Sequence, residues 1–202
     1  MPAQIDIVNL ALIALGEPTL TALTDQKEAA RIASALWAPA RDEALRAGAW
    51  RFAITRSIIA ADATAPAWGF VSQYTLPGDC MRVIEIGDYY VGLNMTDYRS
   101  GDEAMYRLEG SKILSQGSGA LKIRYVSNAV DVGLFDPAFV QVMAYTMARK
   151  MAPRLTESVR TKKPDLDGEY ALALRNARRA DAMERPPEYP ADSSWVISRI
   201  AD

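Results

Sequence analysis

The chain has 202 residues, half of them hydrophobic, with 23 basic and 25 acidic residues and a net charge of −2. That length holds one large domain or two small ones around a substantial core, and a near-neutral balance is not that of a free-standing DNA-binding protein. No histidine and a single cysteine, Cys80, exclude an intramolecular disulfide, a Ser-His-Asp triad, His-based zinc catalysis and a Cys-rich zinc site, while carboxylate-pair and Lys-based chemistry survive.

The N-terminus "MPAQIDIV" lacks the basic and long apolar stretches of a secretory signal. No run approaches the roughly 18 apolar residues that a membrane span needs. Ile5, Val8, Leu12 and Leu15 mark one face of an amphipathic helix. In "ALIALGEPTLTAL" Gly16 sits where a helix ends in a left-handed residue, and Pro18 keeps the helix from restarting. Gly-Glu-Pro therefore reads as punctuation; a phosphate-binding loop would need several glycines between a strand and a helix.

A second helix is predicted from Thr24-Asp25, with Asp25 as cap and Glu28 three residues on, and Ala29, Ile32, Ala33 and Leu36 as its apolar stripe. Pro39 predicts a kink or a fresh helix start, and the pattern stops at Gly48. From Trp50 the texture is that of strands. "WRFAITRSIIA" (50–60), "VSQYTL" (71–76), "MRVIEIGD" (81–88) and "YYVGLNM" (89–95) are expected strands, and 104–126 looks like three more. In the last, Leu121, Ile123 and Tyr125 alternate with Lys122 and Arg124, the pattern of a half-buried antiparallel strand. The turn at Glu109-Gly110 joins two of these strands, and Gly117-Ser118-Gly119 reads as a hairpin.

Asp136-Pro137 predicts an N-cap followed by Pro in the first helical turn. "AFVQVMAYTMARKMA" is apolar nearly all round and should be the most buried helix, with Met143, Met147 and Met151 as a core stripe. Pro153 and Pro164 are expected to bracket a short segment before a last helix from about Leu166 to Met183, with Tyr170, Leu174 and Ala177 on one face. Beyond it, Pro186, Pro187 and Pro190 favour an extended chain, yet Trp195, Val196, Ile197 and Ile200 follow. A stiff arm with an apolar tip predicts docking, either on its own domain or on another subunit.

The expected fold class is α+β: N- and C-terminal helices form a bundle, an antiparallel β domain is inserted, and an arm extends from the C-terminus. The expected divisions are 1–49, 50–128, 129–185 and 186–202.

Few residues suggest chemistry. Cys80 lies at a turn-to-strand junction without a histidine base and reads as structural. Asp42 and Glu43, and Asp165, Asp167 and Glu169, are the acidic clusters. The second lacks the third acid of a calcium loop and reads as the acidic start of a helix. No pair of carboxylates is singled out, so no catalytic, cofactor or metal residue is expected. Between Arg149 and Arg185 the charge is +4, against −6 for the rest of the chain. Arg149, Lys150, Arg154, Lys162 and Lys163 belong to this basic stretch, which reads either as a solvated helix surface or as a face toward a polyanion.

Taken in order, "LIALGEPTLTAL", a charged helix, "RAGAWRFA" (46–53), "YTLPGD" (74–79), "FDPAFVQVMAYTMARKMAPRL" (135–155) and "ALALRNARRADAMER" resemble the tail tubular protein A family, the head-to-tail adaptors of short-tailed bacteriophages. Gly16, Pro18, Trp50 and Phe52 stand at its signature positions, and the likeness covers roughly 5–60 and 130–185. It implies a structural virion protein at the head–tail junction, made in the host's bacterial cytoplasm. Its subunits would form a ring, commonly of twelve, beneath the portal protein. That ring would extend the channel for genomic double-stranded DNA and carry the nozzle or other tail proteins, with no enzymatic activity, cofactor or membrane contact. On this reading Tyr189, Trp195, Ile197 and Ile200 dock on the portal or a neighbouring subunit, and the five cations of the basic stretch are candidate channel-lining residues. A tail-borne wall-degrading glycosidase, a nucleic-acid-binding protein acting through the basic C-terminal helices, and a neck connector of a long-tailed phage are the alternatives.

Overall fold

The computed structural model describes residues 1–87, 89–90, 106–156 and 159–184, with the backbone alone for 89–90 and 159–163. Among them are four helices and two small antiparallel sheets, an α+β protein.

Helix α1 (Gln4–Leu15) buries Ile7, Val8, Ala11, Leu12 and Leu15. It ends in a Schellman turn: Gly16 takes φ 74°, its N–H donates to the Ile13 carbonyl, and the Glu17 N–H donates to the Leu12 carbonyl at 2.9 Å. The chain then folds back onto its own helix. The Asn9 amide donates to the Leu20 carbonyl at 3.0 Å and accepts from the Leu20 N–H at 2.8 Å, which seats the buried Leu20 against the core. Asn9→Ala is expected to destabilise the protein by about 1–2 kcal/mol, because two partly buried main-chain groups lose their partner; urea denaturation measures it.

Helix α2 (Glu28–Arg46) starts later than the acids suggest. Lys27 is its N-cap residue, and Asp25 instead accepts a hydrogen bond from the Thr21 N–H at 3.1 Å within the preceding loop. The buried stripe is Ala30, Ala33, Trp37, Ala40 and Ala44, so Ala29, Ile32 and Leu36 flank it rather than form it. The helix passes through Pro39 without a break. The same holds for Pro153 in α3 (Pro137–Leu155) and Pro164 in α4 (Val159–Met183), which begins well before Leu166. All three prolines are exposed, where water can satisfy the carbonyl that each leaves without an N–H partner.

Helix α3 is the hub of the helices: α1, α2 and α4 all pack on it. Asp136 caps it, accepting from the Ala138 N–H at 2.8 Å, and Pro137 opens it. Met143, Met147 and Met151 are fully buried, as is the Thr146 hydroxyl, which donates to the Val142 carbonyl at 2.8 Å. On α4, Leu166 and Ala177 are buried, with Tyr170 and Leu174 packed beside them.

The stretch between α2 and α3 supplies the strands. Residues 50–53 are not strand: Arg51–Ala53 is a 3-10 turn. Trp50, Phe52 and Ala53 all pack inward, which the strict alternation of a strand forbids. One sheet has the order β1–β7–β3–β4, from Ile54–Ile59, Leu121–Ser127, Cys80–Ile86 and Tyr89–Tyr90. The other has the order β2–β6–β5, from Ser72–Thr75, Lys112–Ser115 and Tyr106–Glu109. Tyr74, Val83, Ile86, Ile113, Ile123 and Tyr125 form a second core, drawn from both sheets.

Gly110, at φ 58°, turns the β5–β6 hairpin. Gly117-Ser118-Gly119 is no hairpin: β6 pairs with β2 and β5, β7 pairs with β1 and β3, and the loop crosses from one sheet to the other. Each of those strands already has two neighbours, so neither has an edge left for the other. The Tyr74 hydroxyl holds the crossover, donating toward the Gly119 carbonyl at 2.6 Å and the Gly117 carbonyl at 3.1 Å. Ile84 and Val126 reach the other way, into the helical core, and so join the two cores.

Candidate functional site

Of the signature residues, Trp50 and Phe52 lie where the helices join the strands, while Gly16 and Pro18 stand exposed at and beyond the end of α1. Four residues beyond the end of α2, Trp50 folds its indole back against the backbone, and Nε1 donates to the Ala44 carbonyl at 2.9 Å. Gly48 permits this: a Cβ there would stand 2.6 Å from Trp50 Cε2. Phe139 meets Trp50, Phe52 and Phe135 with ring centroids 5.1, 4.9 and 4.9 Å away. Gly48→Ala is expected to destabilise by about 1–3 kcal/mol, since a buried indole must move to make room; thermal denaturation reads it.

Over this cluster lies a cavity of about 350 Å³, floored by Trp50, Phe52 and Phe139, with Leu134, Asp136 and Asp181 on its walls. Asp181 accepts from the Arg51 N–H at 2.9 Å, and the Arg51 guanidinium pairs with Glu184 at the rim. Arg51, Asp181 and Glu184 bond one another there, and Asp136 is engaged in capping α3, over an apolar floor.

Of the candidate channel cations, Arg149 and Lys150 are engaged among the helices. Arg149 Nε lies 2.6 Å from Asp167 and its guanidinium stacks over Tyr170 at 4.4 Å, while Lys150 Nζ lies 2.6 Å from Glu43. These contacts join α2, α3 and α4. Arg154 is well exposed and reaches Glu28 at 3.5 Å. The side chains of Lys162 and Lys163 lie outside the described residues, as do Tyr189, Trp195, Ile197 and Ile200 of the arm and most of the expected strand at 89–95.

The acids of the "PDLDGEY" cluster lie inside α4 rather than at its start, and Asp167 and Glu169 face cross-helix partners, Arg149 and the Tyr145 hydroxyl. Among the described residues no group of three or more Cys, Asp or Glu is placed to hold a metal ion, and no helix is long and apolar enough to cross a membrane.

A second polar cluster closes the β unit. Asp79, in the turn before β3, accepts from the Ser127 hydroxyl at 2.6 Å and from the Tyr125 hydroxyl at 3.2 Å. Burial, then the hydrogen bond to Asp79, push the Tyr125 phenol up to about 12. Burial and the Asp79 charge push the Cys80 thiol up to about 11. A thiol held protonated at neutral pH is a poor nucleophile. A raised Tyr125 pKa favours the folded state fully below about pH 10, and that contribution is lost as pH rises through about 12. Tyr125→Phe should therefore show a shallower loss of stability across this window than the native chain; denaturation midpoints against pH measure the difference.

Sequence reasoning passed over Asn9, Asp79 and the Arg149–Asp167 pair. Only "PGD" before a strand gave any local sign of Asp79; the other two act through tertiary contacts. No protein-family model matches this chain, and no curated protein matches it.

Proposed function

We propose that this chain is a structural connector subunit: a head-to-tail adaptor that forms a ring under a phage portal, extends the DNA channel and carries the tail. In this reading α1–α4 form the bundle, the strands are an inserted domain, and residues 186–202 are a docking arm whose Tyr189, Trp195, Ile197 and Ile200 seat on the portal or a neighbouring subunit. The observation that carries it is the convergence of two of the signature stretches, 46–53 and 135–155. Gly16 ends the helix that packs on α3, while Trp50, Phe52, Phe135 and Phe139, far apart in sequence, build one aromatic junction. Two of the signature stretches thus share one structural role, which supports this reading. The helical core is rich in alanine, which allows close helix packing.

A ring is built from one heterologous interface repeated to closure, and an arm that grafts onto a partner suits such an assembly. Removal of residues 186–202 is expected to leave the thermal midpoint nearly unchanged and to abolish co-purification with the portal protein of the same genome. Undiminished co-purification of the truncated chain would show that the arm is not the docking element.

A further inference from the structure

Of the five cations that the sequence marks for a polyanion, Arg149, Lys150 and Arg154 pair with acids and the side chains of Lys162 and Lys163 lie outside the described residues; five arginines, three of them later in the same basic stretch, have no acid partner among the described residues. Arg46, in the last turn of α2, donates to the Met81 carbonyl at 2.9 Å, and Arg178 of α4 donates to the Ala47 carbonyl. Arg82 follows Met81 on β3, close enough to both that their charges, after burial, lower its pKa. Arg175 and Arg179 lie one turn before and one residue after Arg178, both exposed. None of the five has a carboxylate within 4 Å among the described residues. The adjoining cleft of about 790 Å³, which Arg46 and Arg82 line, has no acidic side chain in its wall among the described residues.

Like charges gathered with no counter-charge destabilise one another, so the arrangement is relieved by a ligand with closely spaced negative charges. Two of the guanidiniums are pre-positioned by carbonyls that use only part of their donor set, leaving N–H groups for phosphate oxygens. Duplex DNA presents one charge per roughly 1.7 Å of axis, a density that isolated carboxylates on a protein surface do not reach. We propose that Arg46, Arg82 and Arg178, extended by Arg175 and Arg179, form a contact surface for the phosphate backbone of double-stranded DNA. The identification of that duplex with the passing genome rests on the ring reading; the contact itself does not. Few contacts per subunit suit a conduit, because each is weak at working salt.

The test uses the full chain and a labelled duplex of arbitrary sequence, followed by fluorescence anisotropy over a salt series. Binding through three phosphates should weaken about 20-fold between about 50 and 150 mM salt. Arg82, Arg175 and Arg179 make no side-chain hydrogen bond among the described residues, so the Arg82→Gln/Arg175→Gln/Arg179→Gln chain should fold, as circular dichroism would verify. It should lose at least about tenfold in affinity and flatten the salt slope. Lys27→Gln/Arg31→Gln/Lys122→Gln, which removes as many exposed cations elsewhere, should bind like the native chain. The proposal is overturned by absence of salt-sensitive binding, by equal loss in both triple variants, or by polyglutamate competing as well as DNA, which would assign the surface to an acidic protein. Loss of portal association with this DNA contact intact would overturn the ring reading alone.

Discussion

Phe139→Ala is expected to destabilise the protein by about 3–5 kcal/mol, seen as a fall in the urea midpoint at unchanged m-value. Phe139 is 1% exposed and stands at the centre of the aromatic junction, with three ring partners at 4.9–5.1 Å. Truncation removes a whole ring from a close-packed site, and the edge-to-face contacts add about 0.5–1.5 kcal/mol each beyond area. Trp50 is fixed by its own bond to Ala44 and Phe135 by the turn before α3, so neither can collapse into the space. Against a total stability of about 5–15 kcal/mol, this is a large share. Trp68→Ala is the matched control: that ring is 78% exposed, and its loss should stay within about 0.5 kcal/mol. A Phe139→Ala effect no larger than the control would show that the junction does not hold helices and strands together.

Asp79→Ala should destabilise the β unit by about 2–3 kcal/mol. Its carboxylate is the acceptor for two buried hydroxyls, those of Ser127 and Tyr125, and a buried donor without a partner costs about 1–3 kcal/mol. The change has a second, independent readout. Cys80 is the only cysteine, and part of the rise of its pKa to about 11 comes from the Asp79 charge. In the variant the pH midpoint of iodoacetamide alkylation should move down, while staying above 9 because burial, the larger cause, remains. A changed rate alone would report loosening of the fold; a changed midpoint reports the lost charge.

What was legible in the sequence was what local pattern controls. Gly16 and Asp136-Pro137 mark helix ends because the signals lie within a few residues of the bonds they make. The methionine stripe of α3 reads correctly because an all-round apolar helix has only one place to go. The order of strands from β1 to β7 follows from their composition. What failed was decided at a distance. Pro39, Pro153 and Pro164 look like breaks until their exposure is known. Of the expected α2 stripe only Ala33 lies on the buried face, which Ala30, Trp37, Ala40 and Ala44 complete, while Ala29, Ile32 and Leu36 flank it. The Gly117–Gly119 loop was misread because pairing partners are a property of the sheets, not of the loop.

Charge was the least legible property of all. The basic stretch from Arg149 onward reads either as a solvated helix surface or as a polyanion face, and only the structure shows its first two cations, Arg149 and Lys150, engaged by Asp167 and Glu43 across the helix interfaces. Arg46 and Arg82 drew no notice because neither stands in a run of cations, and only the approach of α2, β3 and α4 places them with Arg178.

The central claim is that this chain is a ring-forming connector, and native mass by light scattering tests it most directly. The protein is measured alone and then mixed with the portal protein from the same genome. The account predicts a complex with about one copy of this chain per portal subunit, in keeping with a closed cyclic assembly. No association at any salt concentration would contradict it.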